Sequence, residues 1–381
     1  FDPNDYRERI AEAVKEETGR ELVIDGDLEL TLFPWLAVNI GQTTLGNAPG
    51  FGDEPFLSFE EARLSIGVMP LIRGDGLKIG AIVLDSFQLN LQVDENGRNN
   101  WQDIAEHSEA EAEAETETAP DVEVGEVTQE QDVELSIASV EITDAAVRYS
   151  DAQTGESYSL TSFRLVTGQV GGSDPIDITS SFDFEVQPAG IAGDFSIETA
   201  LVPSEEHGIA LGDAEISTMG IDATVSVFDD LSGASVQVDA FSLKALMTAL
   251  GIERPITADP DVLGKIIFSG DVRLNDDAIA VSGVELVVDD TTFTGDLSVA
   301  RNEAGTISVN LAGDSIDVDR YMEPATDAGQ GSGDAVPVEI PVDLIRALNV
   351  RGELTLNAAQ LSGLEFENVE LGLNAADGDL R

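Results

Sequence analysis

The sequence predicts a mostly β protein, built as a long antiparallel sheet with a few short capping helices. Three observations carry that expectation. Apolar and polar residues alternate with period two over most of the chain after Gly19. Acidic or glycine-bearing turns separate the runs, as in DENG at 94–97, NDDA at 275–278 and NEAG at 302–305. Helical spacing is confined to short stretches. Clean alternation marks antiparallel strands with one wet face, and pattern matching gives roughly 17 to 20 of them.

The first element is a helix. Asp2 caps it, Pro3 suits its first position, and Asp5 and Glu8 fall near its N-terminus. Tyr6, Ile10, Ala13 and Val14 form its apolar stripe, and Gly19 stops it. Its simplest role is to plug one end of a sheet. The segment 24–41, IDGDLELTLFPWLAVNIG, then reads as a hairpin. Leu28, Leu30 and Leu32 alternate with Asp27, Glu29 and Thr31, Phe33-Pro34-Trp35 interrupts, and Leu36, Val38 and Ile40 resume. Phe87, Leu89, Leu91 and Val93 repeat the scheme, as do Ile176, Ile178, Phe182, Phe184 and Val186 against Asp177, Thr179, Asp183 and Glu185. Ile191, Phe195, Ile197 and Leu201 follow, then Ala234, Val236 and Val238, then Ile266, Phe268, Val272 and Leu274. Phe293, Leu297 and Val299, with Ile307, Val309 and Leu311, close the series. Further helical patterns are 242–251, with a Ser cap and a Leu243/Leu246/Met247/Leu250 stripe, a short turn in 258–266, and 341–348. They read as caps and corners.

A short signature, glycine–acid–apolar–any–apolar, recurs as GDLEL at 26–30, GDFSI at 193–197, GDVRL at 270–274, GDLSV at 295–299 and GELTL at 352–356. In a strand its glycine shares a face with both apolar residues and leaves a gap there, where a sheet can bend or another chain can approach. Gly26, Gly193, Gly270, Gly295 and Gly352 are therefore candidate bend points. Five occurrences suggest repeated supersecondary units.

The chain has 381 residues, a formal charge of −55 from 74 acids against 19 bases, and 42% hydrophobic residues, enough for a sizeable core. The charge opposes binding to nucleic acid, which needs clustered Lys and Arg. It equally opposes electrostatic docking on anionic lipid headgroups. It reads as a protein for high ionic strength, where salt screens self-repulsion. With no cysteine there are no disulfides, thiolate zinc sites or cysteine nucleophiles. No run of about 18 apolar residues exists to span a bilayer as a helix. His107 and His207 both lie in polar loops. No nucleophile elbow, P-loop, dinucleotide fingerprint, two-histidine zinc motif or calcium-loop pattern occurs. Acid pairs such as Asp229-Asp230, Asp276-Asp277 and Asp289-Asp290 carry little information among 74 acids and read as turns. The expectation is a protein that is not an enzyme and holds no cofactor or metal.

About eighteen amphipathic strands supply more apolar surface than a few short helices can cover. Two solutions exist: a sandwich or solenoid closed on itself, or a trough filled by a nonprotein guest. A strand of eight or nine residues spans roughly 26–30 Å, long enough for an acyl chain, and each buried CH₂ contributes about 0.8 kcal/mol. Periodicity does not choose between them.

Four stretches of the opening hundred residues carry a likeness: FDPNDYRERIAEAVKEETGREL, GDLELTLFPWLAVNIGQTTLGNAPGFG, MPLIRGDGLKIGAIVLDSFQLNLQ and ENGRNNWQDI, the last including Gly97-Arg98-Asn99-Asn100-Trp101. They resemble the AsmA family of Gram-negative envelope proteins. Matches continue in VEITDAAVRYSDAQTGESYSLTSFRLVTG, TADPDVLGKIIFSGDVRL and DDTTFTGDLSV. The resemblance implies a strongly twisted sheet curled into an apolar, taco-like groove, as in bridge-like lipid-transfer proteins built from repeating β-grooves. It implies a periplasmic body anchored to the inner membrane by a helix upstream of Phe1, supporting outer-membrane biogenesis by carrying phospholipid acyl chains between membranes. Outer-membrane components are then candidate partners. The family offers no catalytic residue to carry over. On this reading the groove is lined by Leu28, Leu30, Leu32, Phe87, Leu89, Leu91, Phe182, Phe184, Phe195, Ile197, Val272 and Leu274. Residues 1–104 form an N-terminal helix and first groove unit, 105–132 an acidic disordered linker, 133–322 central groove repeats, 323–337 a flexible linker, and 338–381 the start of a truncated further repeat. The rival readings are an assembly factor for outer-membrane β-barrels and an acidic extracellular β-solenoid or adhesin.

Overall fold

The computed structural model describes residues 2–32, 35–73, 77–102, 104, 135–171, 174–204, 208–301, 305–324, 349–376 and 379–380. The protein is mostly β, with a few short helices. It divides into two compact units, Phe1–Ile209 and Ala210–Arg381. His107, His207, Phe33, Pro34, residues 105–132 and the pattern at 341–348 lie outside the described residues, as does most of 323–337.

Unit 1 opens with a 3-10 turn, Pro3–Tyr6, and helix α1, Arg7–Thr18. Asp2 caps the turn by accepting from the Asn4 N–H at 2.9 Å. Gly19 ends α1 in the left-handed region (φ 69°), where only glycine is unstrained. Of the expected stripe only Val14 is half-buried, joined by Ala11; Tyr6, Ile10 and Ala13 are exposed. The helix therefore covers less of the sheet than its spacing predicts.

The strands of unit 1 come as bent pairs. β1 (Leu22–Ile24) continues into β2 (Leu28–Thr31), β3 (Trp35–Ile40) into β4 (Thr43–Leu45), β5 (Leu57–Phe59) into β6 (Glu61–Gly67), and β7 (Leu77–Asp85), after helix α2 (Val68–Arg73), into β8 (Gln88–Val93). The expected hairpin is present, with Leu28 opposite Ile40 and Leu30 opposite Val38. The long strand β9 (Leu135–Asp151) joins the halves: its first part pairs with β7, its second with β8. β10 (Ser157–Thr167), β11 (Ile176–Gln187) and β12 (Ile191–Ser204) then follow as antiparallel neighbours.

A line of irregular residues crosses these strands at their bends. Gly26 faces Gly41 so closely that a Cβ on Gly41 would stand 2.8 Å from the Gly26 Cα. The Gly26 N–H bonds to the Gln42 carbonyl, Glu60 to Asp85, and Ser86 to Thr143. Ser86, Asp144 and Ser162 all have φ between 51° and 54°. Bulges sit beside Asp144 and Ser162. Each such bulge bends its strand, increases its twist, and moves the apolar set from even to odd positions or back. In β9 the apolar face passes from Ile142 to Ala145 and Val147; in β10 it passes from Leu160 to Phe163 and Leu165.

β13 (Gly208–Leu211) spans the boundary between the units. Unit 2 contains β14 (Ala214–Thr218), β15 (Ile221–Val227), β16 (Gly233–Phe241), helix α3 (Leu243–Ala249), β17 (Ile266–Leu274), β18 (Ala278–Val288), β19 (Thr291–Ala300), β20 (Ile307–Asp317), β21 (Val350–Leu361), β22 (Leu364–Ala376) and β23 (Asp379–Leu380), each paired with the next strand. Ser242 caps α3 through the Ala245 N–H, and the expected Leu243, Leu246, Met247 and Leu250 are half-buried. The expected helical turn at 258–266 is instead a strap of non-helical turns.

Three pairs depart from the antiparallel expectation: β7–β9, β8–β9 and β20–β21 are parallel. A parallel neighbour needs a long return connection. The two longest connections of the chain, 94–134 and 318–349, supply it, and they contain the two segments that the sequence marks as linkers.

Candidate functional site

Residues paired in register share a face of the sheet, so the pairing assembles the apolar surface. In unit 1 one row runs Leu22, Leu45, Leu57, Leu89, Val147, Leu160, Phe184, Gly193 across eight strands. On the other side of the bend a second row runs Leu28, Ile40, Ala62, Leu84, Ile142, Leu165, Ser180, Ile197. Along β11 and β12, where no bulge intervenes, Ser180, Phe182 and Phe184, and Gly193, Phe195 and Ile197, fall on one face. Both rows therefore belong to a single continuous face. Between them Phe182 stacks on Phe195 with ring centroids 5.0 Å apart, flanked by Phe163 at 6.4 Å and Phe184 at 6.5 Å. A third row, Leu91, Tyr149, Tyr158, Val186, continues the face toward Trp101, whose ring lies 6.3 Å from Tyr149. Burial raises the Tyr149 hydroxyl pKa, and the neighbouring Asp151 carboxylate raises it further.

Unit 2 repeats the arrangement. Val238, Phe268, Leu286, Phe293, Gly313, Leu356 and Val369 form one row, and Ala234, Val272, Val281, Leu297, Val309 and Gly352 the next. A last row, Leu274, Ile279, Val299, Ile307, Val350, ends in exposed side chains, with Leu274 at 59%. The opposite face of β11 and β12 in unit 1 is acidic: Asp177, Asp183, Glu185, Asp194 and Glu198 are all exposed.

The decisive property is how little of this apolar surface is covered. A sheet packed against a second layer buries its inner face. Among the described residues, only Leu28, Phe56, Ala145, Ala146, Ala214, Val262, Val284 and Leu356 are buried apolar side chains. The phenylalanines of β11 and β12 are half-buried, screened by their in-sheet neighbours.

Polar clusters fix one end of each unit's face. In unit 1 Asn100 is fully buried. Its side chain donates to the Asn90 carbonyl at 2.8 Å and to Asn47 Oδ1 at 2.9 Å, and accepts from the Gln92 N–H at 2.9 Å. Buried Arg20 donates to the Asn100 carbonyl at 2.6 Å and lies 4.4 Å over the Phe56 ring. In unit 2 the carboxylate of Asp289 accepts from the N–H groups of Leu263, Gly264 and Lys265 at 2.7–3.1 Å and from the Tyr321 hydroxyl at 2.8 Å. Burial pushes its pKa up, but those donors outweigh burial and hold it below the usual carboxylate range. Burial and the Asp289 hydrogen bond push Tyr321 up to about 12. Arg320 bridges Asp290 and Asp259, both at 2.8 Å, which raises its own pKa. The strap at 258–265, with Val262 wholly buried, is thereby tied over the end of the sheet. Both acids of the Asp289-Asp290 pair thus serve a turn and its anchorage.

The structure places the expected lining residues as follows. Leu28, Leu30, Leu89, Leu91, Phe182, Phe184, Phe195 and Ile197 share the face of unit 1. Phe87 precedes β8, half-buried, with its carbonyl accepting from the Ala146 N–H at 2.7 Å. Leu32 lies just past β2 and is 63% exposed. Val272 and Leu274 belong to the rows of unit 2. Sequence reasoning missed Val147, Leu160, Phe163, Tyr149 and Tyr158, because bulges break the period on which it relied. Of the five signature glycines, Gly26 lies in the bend before β2 and the other four lie within strands. Gly193 stands opposite Phe184 in a regular stretch. Gly270 adjoins the β18 bulge. Gly295 (φ 151°) and Gly352 (φ 150°) flank β20 so closely that a Cβ would collide with its backbone.

Among the described residues no group of His, Cys, Asp and Glu is arranged to hold a metal ion, and no helix is long and apolar enough to cross a membrane. No curated protein and no solved structure matches the chain. The family model of the AsmA family matches residues 1–254, covering all of unit 1 and the start of unit 2. That family is associated with the bacterial envelope and outer-membrane biogenesis. With two thirds of its length under that match, the chain belongs to the AsmA family.

Proposed function

We propose that the apolar sheet face carries phospholipid acyl chains, and that the protein does so in the periplasm, anchored to the inner membrane, in support of outer-membrane biogenesis. One observation carries the reading: rows of apolar side chains cross eight strands in unit 1 and, Leu28 apart, stay half-buried or exposed. Such a surface is unfavourable in water at about 25 cal/mol per Å², and acyl chains relieve that cost without needing a specific polar partner. The bulges and close-packed glycines give the curvature that a chain-holding trough requires. The envelope association of the family supports the compartment.

The test is site-specific photocrosslinking in cells. A photoreactive residue at Phe184 or Leu89 is expected to capture lipid, and one at Glu185, on the other face, is not. Equal labelling of both faces, or none at either, would sink the proposal.

A second reading has its own observation. β22 is an edge strand with Leu364, Phe366 and Leu371 exposed, and among the described residues only Ala375 and Ala376 pair on its outer side. An unpaired edge can template another strand, as an assembly factor for outer-membrane β-barrels would. Crosslinks from β22 to barrel strands, with no lipid on the sheet face, would favour it.

A further inference from the structure

The β2–β3 hairpin departs at its tip from the pattern that rules the rest of the sheet. Elsewhere one face is apolar and the other polar, as Gln88, Asn90 and Gln92 are on β8 and Asp177, Asp183 and Glu185 on β11. At the tip both faces are apolar: Leu36 shares a face with its partner Ile66, while Trp35 points to the other side, opposite Gly67. The side chains are open to solvent, Leu32 at 63%, Trp35 at 40% and Val38 at 42%. The indole is firmly mounted, since Gly67 and Gly80 leave it room: a Cβ on either would stand 3.3 or 3.6 Å from its Cζ3.

The charge distribution singles out the same place. In a chain of net charge −55, no charged residue occurs from Leu30 to Gly52, and Ala62 to Gly74 contains only Arg63 and Arg73. Helix α2, with Val68 and Met69, leaves β6 directly after Gly67, so a second acid-free apolar element lies at this end. A surface apolar on both sides gains nothing from an amphipathic partner that covers one side. It suits a medium that surrounds it, and tryptophan prefers the bilayer–water interface.

We propose that this tip, centred on Leu32, Trp35 and Leu36, is a membrane-docking element that inserts into the interfacial region of a lipid bilayer. Docking is driven by apolar insertion and not by charge, because the acidic body is repelled by anionic headgroups. This contact is separate from the trough: it engages a bilayer surface, and acyl-chain carriage stands or falls without it.

The test uses the full chain with Trp101→Phe, so that Trp35 is the sole tryptophan and is excited selectively over the four tyrosines, and phosphatidylcholine vesicles. The emission of Trp35 is expected to shift to the blue on adding vesicles and to be quenched by lipids brominated in the upper acyl chain. Leu32→Asp, at an exposed position beyond the strand, is expected to keep the far-UV spectrum and lower vesicle binding about tenfold or more. An unshifted, unquenched Trp35 would overturn the proposal. So would undiminished binding by the folded Leu32→Asp protein, or light scattering that shows the tip pairing with a second copy in place of vesicles.

Discussion

Asn100→Ala is the sharpest test of how the end of unit 1 is held. The substitution removes three hydrogen bonds of 2.8–2.9 Å from a fully buried side chain and takes a partner from the Asn90 carbonyl, the Gln92 N–H and Asn47 Oδ1, the last of which keeps the Ala48 N–H at 3.0 Å. A net loss of about 1 kcal/mol for each bond gives a destabilisation of about 3 kcal/mol. Asn99 is the internal control. It is only half-buried, and its side chain accepts one long bond, 3.3 Å, from the Trp101 N–H, so Asn99→Ala should cost under about 1 kcal/mol. Urea denaturation followed by tryptophan fluorescence reads both, because Trp101 adjoins the cluster. Equal shifts for the two variants would refute the claim that Asn100 is the hub and its neighbour a bystander.

Other outcomes follow from the same geometry. Gly295→Val should destabilise by about 3 kcal/mol or more through backbone strain and collision with Asn310 and Leu311, whereas Gly372→Ala, with open space around its Cα, should change stability by under about 1 kcal/mol; thermal melts of the two compare them. Asp289→Asn should cost about 3 kcal/mol at neutral pH by weakening charge-assisted bonds. Because the folded-state pKa of Asp289 is depressed, its contribution is complete above the unfolded carboxylate value of 3.8 and fades as pH falls through the lower folded value. The stability gap between wild type and Asp289→Asn should therefore be constant at neutral pH and close on acidification; a gap that widens in acid would contradict the assignment. Raising sodium chloride from dilute buffer to about 1 M should raise the melting temperature by screening the −55 charge; a fall would reject self-repulsion as a destabilising load.

Much of the fold was legible because β11 and β12 obey the pattern so plainly. Ile176 to Val186 alternates with acids, and every apolar member lies on the half-buried face. What the pattern hides is the bend. A strand that carries Ser86, Asp144 or Ser162 at positive φ switches its apolar set between odd and even positions, so strict alternation loses Leu160 and Phe163. Glycines announce such sites, but serine and aspartate resemble any surface residue. The parallel pairs were hidden for another reason: period-two patterns carry no strand direction, and only the long connections at 94–134 and 318–349 hinted at it. Asn100 sat in a quoted motif, Gly97 to Trp101, yet its burial depends on Asn47, Asn90 and Arg20, distant in sequence. The expected lining residues on β11 and β12 share one face because those two adjacent strands pair without a bulge.

The central claim is that lipid occupies the apolar face, and extraction of the purified protein for lipid mass spectrometry tests it most directly. The account predicts co-purified phospholipid, reduced when Phe182 and Phe195 are both replaced by Asp in a variant shown to be folded. Protein free of lipid, or a folded double variant that retains as much as the wild type, would contradict it.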